Sequence, residues 1–211
     1  MTTLLQPRRQ LVLKTAGVAP FSVAEARHQC SLVDDDTQDE YLARLIKVAS
    51  EHVAAVTSRI LTESTWRFLL ECFPDCDSIE IPGGNLRSVT HVKYWVAGDV
   101  AWTTLSPTEY DVDTDSCPGQ VVLGDGKSWP SASLRKYAGV EIEFIAGWDA
   151  PGANSVKGEV PDAIRHAIAL LVTHWFENRS AVTVGNSAAS VSRRLELAVD
   201  ALLINQKLNF L

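Results

Sequence analysis

Residues 42–60 read LARLIKVASEHVAAVTSRI, and residues 64–73, just beyond, read STWRFLLECF. In the first stretch Leu42, Leu45, Ile46, Ala49, Val53, Val56 and Ile60 recur at steps of three and four, which puts them on one face of a helix. Arg44, Lys47, Ser50 and Glu51 fall on the opposite side. The pattern predicts a helix running to about Leu61. From Ser64 the period changes: Thr65 to Phe73 is rich in aromatic, β-branched and long apolar residues and reads as a strand. A long amphipathic helix that gives way to strands within a few residues sets the fold class.

Working upstream, Ser22-Val-Ala-Glu25 is a capping box and predicts a short helix fading near Cys30 to Leu32. Asp34, Asp35 and Asp36 precede a second such box, Thr37-Gln-Asp-Glu40, at the start of the long helix. Acidic side chains there suit the positive end of the helix dipole, so the run reads as a cap and not as a metal site.

Downstream, short strands are predicted at 79–81, 89–96 (VTHVKYWV), 110–112, 120–123 and 140–146 (VEIEFIA). Pro82-Gly-Gly84, Ala97-Gly-Asp99 and Gly124-Asp-Gly126 supply turns between them. Trp95, Trp102, Trp129 and Trp148 lie in or beside this block, and most are expected to cover its core. A loop over 147–158 leads to Pro161, which suits a first helical turn. The third helix carries Ile164, Ala167, Ile168, Leu171, Val172, Trp175 and Phe176; after a looser stretch over 182–190 the last carries Val191, Leu195, Val199, Leu202 and Leu203.

The order is helices, strands, helices. It predicts an α+β fold in which N-terminal and C-terminal helices pack together, with an inserted block of short antiparallel β-strands. The expected division is 1–63 (N-terminal segment and helices), 64–148 (β block) and 149–211 (loop, C-terminal helices and tail), the helical parts forming one unit.

Composition narrows the function. The 211 residues are 46% hydrophobic and 21% charged, ordinary for a globular chain, and the formal net charge of −7 argues against a module that grips phosphates. No signal peptide is visible near Met1, and no window approaches the roughly 18 apolar residues of a membrane span, so a cytoplasmic protein with no membrane role is expected. Cys30, Cys72, Cys76 and Cys117 then read as free thiols, since the close pair Cys72/Cys76 has no second pair to complete a zinc site.

No catalytic, cofactor or metal motif survives inspection. Asp111-Val-Asp113-Thr-Asp115 begins like a calcium loop, but the required Gly and Glu are replaced by Ser116 and Val122. His174 and Glu177, with His166 two turns back, lack the acidic partners of a di-metal bundle. Nucleophile elbows, phosphate-binding glycine loops and H-E-x-x-H are absent from the sequence. The chain is therefore expected not to be an enzyme and to carry no cofactor.

Residues 160–179, VPDAIRHAIALLVTHWFENR, resemble the C-terminal helix of phage head–tail connector (adaptor) proteins of the gp6-like superfamily. That family carries a V-P-x-x-I-x-x-A-I-x-x-L-V-x-H-W-Y-E-N-R type of run. Residues 81–94 (IPGGNLRSVTHVKY), 110–113, 118–123 (PGQVVL), Trp129-Pro130 and 140–148 (VEIEFIAGW) resemble further family segments in the same order. The resemblance covers about residues 20 to 205. One departure is that Val191-Ser-Arg-Arg194 lacks the proline usual near the start of the last helix, so that helix is expected to start earlier or run more smoothly.

The resemblance implies a virion protein of the neck, assembled in the host cytoplasm, forming a homo-oligomeric, dodecameric ring beneath the portal protein. Such a ring extends the DNA channel without sequence-specific binding and docks the tail or a stopper protein. The alternative is a tail-completion or tail-terminator protein of the same virion. The family's C-terminal portal contact maps here to Leu208, Asn209, Phe210 and Leu211, and an apolar end after a polar spacer fits a groove-filling role independently. Trp175, Glu177 and Arg179 are candidates for contacts between subunits. Arg8, Arg9, Arg193 and Arg194 are short basic pairs that face either solvent, an acidic neighbour or the DNA.

Overall fold

Ser22 starts the first helix as its sequence requires. Its hydroxyl accepts from the Glu25 N–H at 3.2 Å, and its own N–H donates to the Glu25 carboxylate at 2.8 Å, so two otherwise unpaired helix-end groups are satisfied at once. The computed structural model describes residues 9–32, 35–149, 157–179 and 186–208, with side chains from 195 onward in the last of these. Its elements are β1 Arg9–Thr15, α1 Val23–Gln29, α2 Asp39–Thr57, β2 Ser64–Leu70, β3 Ser78–Glu80, β4 Leu86–Tyr94, β5 Thr103–Thr104, β6 Tyr110–Asp113, β7 Gln120–Leu123, β8 Val140–Ala146, α3 Asp162–Glu177 and α4 Asn186–Leu203. A 3-10 turn, Ile204–Gln206, follows α4.

The fold is α+β, and its elements sort into two compact units. One contains β1 and Glu63–Gly147; the other contains Val18–Thr62 and the chain from Trp148 onward. In the strand unit a five-stranded sheet has the order β1-β2-β8-β4-β5, and a three-stranded sheet has the order β3-β7-β6; every pairing is antiparallel. Strand β8 is central. Val140, Ile142 and Phe144 alternate onto one face, each fully buried, and Ile142 stands between Phe68 of β2 and Val92 of β4. Glu141 and Glu143 take the other face.

In the helical unit, α3 lies between α2 and α4, which touch one another little. Leu42, Ile46, Ala49 and Val53 of α2 are buried against Ile164, Ala167, Ile168 and Val172 of α3. Two ion pairs fasten α1. Arg27 donates to both carboxylate oxygens of Asp39 on α2 at 2.7 and 2.6 Å, and Arg165 of α3 pairs with Glu25. The bidentate Arg27–Asp39 geometry is the stronger kind.

Several expectations need correction. The second capping box is not made: the N-cap of α2 is Gln38, with no side-chain cap. Thr37 instead gives its hydroxyl and N–H to Asp35 Oδ1, at 2.6 and 2.9 Å, closing a local turn ahead of the helix. α2 stops at Thr57, short of Leu61, because Ser58 takes a left-handed conformation with φ 56°. α4 starts at Asn186, five residues ahead of Val191, as the missing proline allows. β1 and β5 were not anticipated. Of the four tryptophans expected in or beside the strand block, Trp148 is the one that departs from it. Trp148 is buried among the helices, while Trp95, Trp102 and Trp129 are half-buried at the periphery of the strand unit.

Candidate interaction surfaces

The end of α3 gathers the three residues singled out for subunit contacts. The Asn178 N–H and side-chain amide both donate to the His174 carbonyl at 2.9 Å, which closes the helix. Arg179 then lays its guanidinium 4.8 Å from the Phe176 ring centre and 4.9 Å from that of Tyr41, and donates to Gln38 Oε1 at 3.1 Å. Trp175 is half-buried and its carbonyl faces the Tyr41 hydroxyl at 3.5 Å; Glu177 is exposed. Arg179 is thus engaged inside its own helical unit, on two partners, Tyr41 and Gln38, that the sequence did not single out. Nearby, burial pushes the Cys30 thiol pKa up; a Thr173 hydrogen bond opposes this and the Glu177 charge adds to it.

The tail begins as a fixed structure. Leu208 is 9% exposed, and its N–H donates to the Thr57 carbonyl at 2.9 Å. Arg59 Nε donates to the Gln206 carbonyl at 2.6 Å. One open end of α2 is therefore satisfied by the chain that follows α4. Asn209, Phe210 and Leu211 lie outside the described residues, as does Arg8; the side chains of Arg193 and Arg194 do too. Arg9 is exposed at the start of β1.

On the polar face of the five-stranded sheet, Glu143 accepts from Lys14 of β1 at 2.7 Å. Glu141 meets Arg67 of β2 at 3.4 Å and His91 of β4 at 3.3 Å. Both carboxylates are under 10% exposed, so each must be compensated. At another place in the strand unit, Arg135 stacks against Trp95, Trp102 and Tyr137 at 4.5, 4.4 and 4.9 Å and donates twice to the Ala138 carbonyl. Arg135 thereby explains where two of the tryptophans go.

The chemistry-bearing motifs have structural uses. Asp113 accepts from the N–H groups of Asp115 and Ser116 at 2.9 and 3.1 Å and from the Ser116 hydroxyl, tightening the turn after β6. His174 Nδ1 faces Asn178 at 3.3 Å, and His166 is exposed. Cys72, Cys76 and Cys117 are exposed and form no disulfide, and Cys76 Sγ donates to the Ser78 carbonyl at 3.1 Å.

These features define a two-unit α+β protein whose described side chains build packing and ion-pair surfaces. The same fold occurs in solved phage-like particles. A chain from the neck of an empty gene transfer agent (GTA) particle, computed with C6 symmetry, matches with a TM-score of 0.73 at 20% identity, covering 96% of this chain and 97% of that one. A chain from the virion of a native GTA particle matches at 0.72 and 21% identity over 95% and 96%. A third, from the neck of a native GTA particle computed with C12 symmetry, matches at 0.66 and 21% identity over 94% and 96%. At such identities the likeness is one of fold. No family model matches the chain, and no curated protein does.

Proposed function

We propose that this chain is a structural neck protein of a tailed-phage-like particle, a head–tail connector (adaptor) that works by assembling into a ring under the portal. The observation that carries the reading is the end-to-end agreement of fold, over 96% of this chain and 97% of the other, with a chain from a GTA neck. The ordered motifs from Ile81 to Arg179 support the same reading independently. The cyclic symmetries of the matching necks, C6 and C12, support a ring, and the resemblance in sequence points to twelve copies.

Function here is assembly, with no bond made or broken and no cofactor. In a cyclic ring each subunit presents one face to a different face of the next. The ring extends the DNA channel, and a net charge of −7 suits a conduit that phosphates pass without being held. Residues 209–211 reach the portal from the anchor at Leu208, and the opposite side of the ring receives the tail or a stopper protein. Trp175 and Glu177 border a subunit contact, with Arg179 holding the end of α3 in place.

Particles assembled without this chain test the proposal. DNA-filled heads that carry portals and no tails are expected, with tail attachment restored by adding the protein. Completed heads with tails of abnormal length would instead identify a tail-completion or terminator protein.

A further inference from the structure

Helix α4 is apolar on two sides. Val199 and Leu203 are buried against the helical unit, while Leu197 is 63% exposed with Ala201 exposed one turn on, and Ile204, first residue of the 3-10 turn that follows, is 66% exposed. Leu197 and Ala201, four apart, share one outward side of α4, and Ile204 carries the exposed apolar run on into the 3-10 turn. A helix that presents apolar residues to both sides is built for a second packing partner. Glu196 and Asp200 border the run, both exposed, with Lys207 lying 4.0 Å from Asp200.

A matching surface exists on the same unit. The outward side of α2 carries Val48, 52% exposed, next to exposed Lys47 and one turn after exposed Arg44, and Glu51 follows one turn after Lys47. Arg44 has only a loose contact with Glu40, 3.6 Å away, and is 70% exposed. Beside their apolar residues α2 presents Arg44 and Lys47, with exposed Glu40 and Glu51 a turn before and after, and α4 presents Glu196 and Asp200, opposite in sign to the two cations. α3 separates the two helices, so these surfaces lie on different flanks of the unit.

We infer that the Leu197–Ala201–Ile204 run of one copy docks on the outer face of α2 around Val48 of the next copy, with Glu196 and Asp200 meeting Arg44 and Lys47. The occupant is a second copy of this chain because the complementary charges and the complementary apolar patch are both its own. Two different flanks make the contact heterologous, the type that closes into a ring. The inference rests on the ring reading above and adds the residues that join the subunits.

The test is a charge swap, read as ring population by mass photometry for the chain alone and with the portal ring of the same particle. Asp200→Lys and Lys47→Glu are each expected to raise the concentration needed for assembly about tenfold, since like charges then face each other. The combination is expected to recover most of that loss. Leu197→Ser, at an exposed site, should weaken assembly while leaving the melting of the dilute chain unchanged. Rings that form equally well in all variants, or single defects that the combination does not repair, would overturn this contact and leave the neck assignment standing. A wild-type chain that assembles neither alone nor on the portal would overturn the neck reading and this contact with it.

Discussion

The N–H of Leu208 donates to the carbonyl of Thr57 at 2.9 Å, so the chain beyond α4 is fastened to the end of α2. Leu208 itself is buried against its own subunit, and any segment available to another protein starts after it. This relationship separates two roles that a tail truncation would otherwise mix.

Removing residues 209–211 is expected to leave thermal stability unchanged and to weaken capture by portal rings in a pull-down. Leu208→Ala is expected to lose about 2 kcal/mol of stability, read by denaturant unfolding, because it empties a buried site at the end of α2. Loss of stability on removing residues 209–211, or full stability in Leu208→Ala, would contradict this division.

Acid should loosen α1. Burial raises the Glu25 pKa, but the Ser22 N–H, the Ser22 hydroxyl and the Arg165 charge together outweigh it and hold the carboxyl below its ordinary value of 4.5. A depressed carboxyl contributes stability above its unfolded pKa and loses it as pH falls through the folded value. Melting temperature is therefore expected to fall below about pH 4.5, and Glu25→Gln to flatten part of that fall. Ser22→Ala, measured at neutral pH, is expected to cost about 1 kcal/mol.

The ion pair on the central strand should show asymmetric coupling. Lys14 is half exposed and Glu143 is buried, so Lys14→Met leaves a buried carboxylate without its ammonium. The expected cost is about 1 kcal/mol, kept small by solvent at Lys14. Adding Glu143→Leu is expected to recover it, and a double-mutant cycle by chemical denaturation reads the difference.

Much of this was legible where interactions are local. Ser22 and Glu25 are three residues apart and make the capping box; β7 and β8 occupy the short β-branched runs, 120–123 and 140–146, in which strands are expected. Thr37–Glu40 carries the same capping-box pattern and fails, because Asp35 stands two residues before Thr37 and takes its hydroxyl. Strand β1 was invisible because its stability comes from pairing with β2, far along the chain, and its side chains are mostly exposed. The Tyr41–Arg179 and Thr57–Leu208 contacts are non-local for the same reason. On α4 the buried residues Val199 and Leu203 follow the helical period, and exposed Leu197 lies outside it, on a side that periodicity alone assigns to solvent.

Gly139 tests the packing of the strand unit. A Cβ there would lie 2.5 Å from the Glu71 carbonyl oxygen and 3.2 Å from that of Arg135, both backbone atoms that side-chain rotation cannot move. Gly139→Ala is expected to cost about 2 kcal/mol or more, read by thermal or denaturant unfolding.

The most direct test of the central claim is electron microscopy of the purified chain mixed with its particle's portal. The account predicts a second ring stacked coaxially on the portal, with twelvefold symmetry and an open axial channel. A portal that stays bare beside a monomeric chain would contradict it.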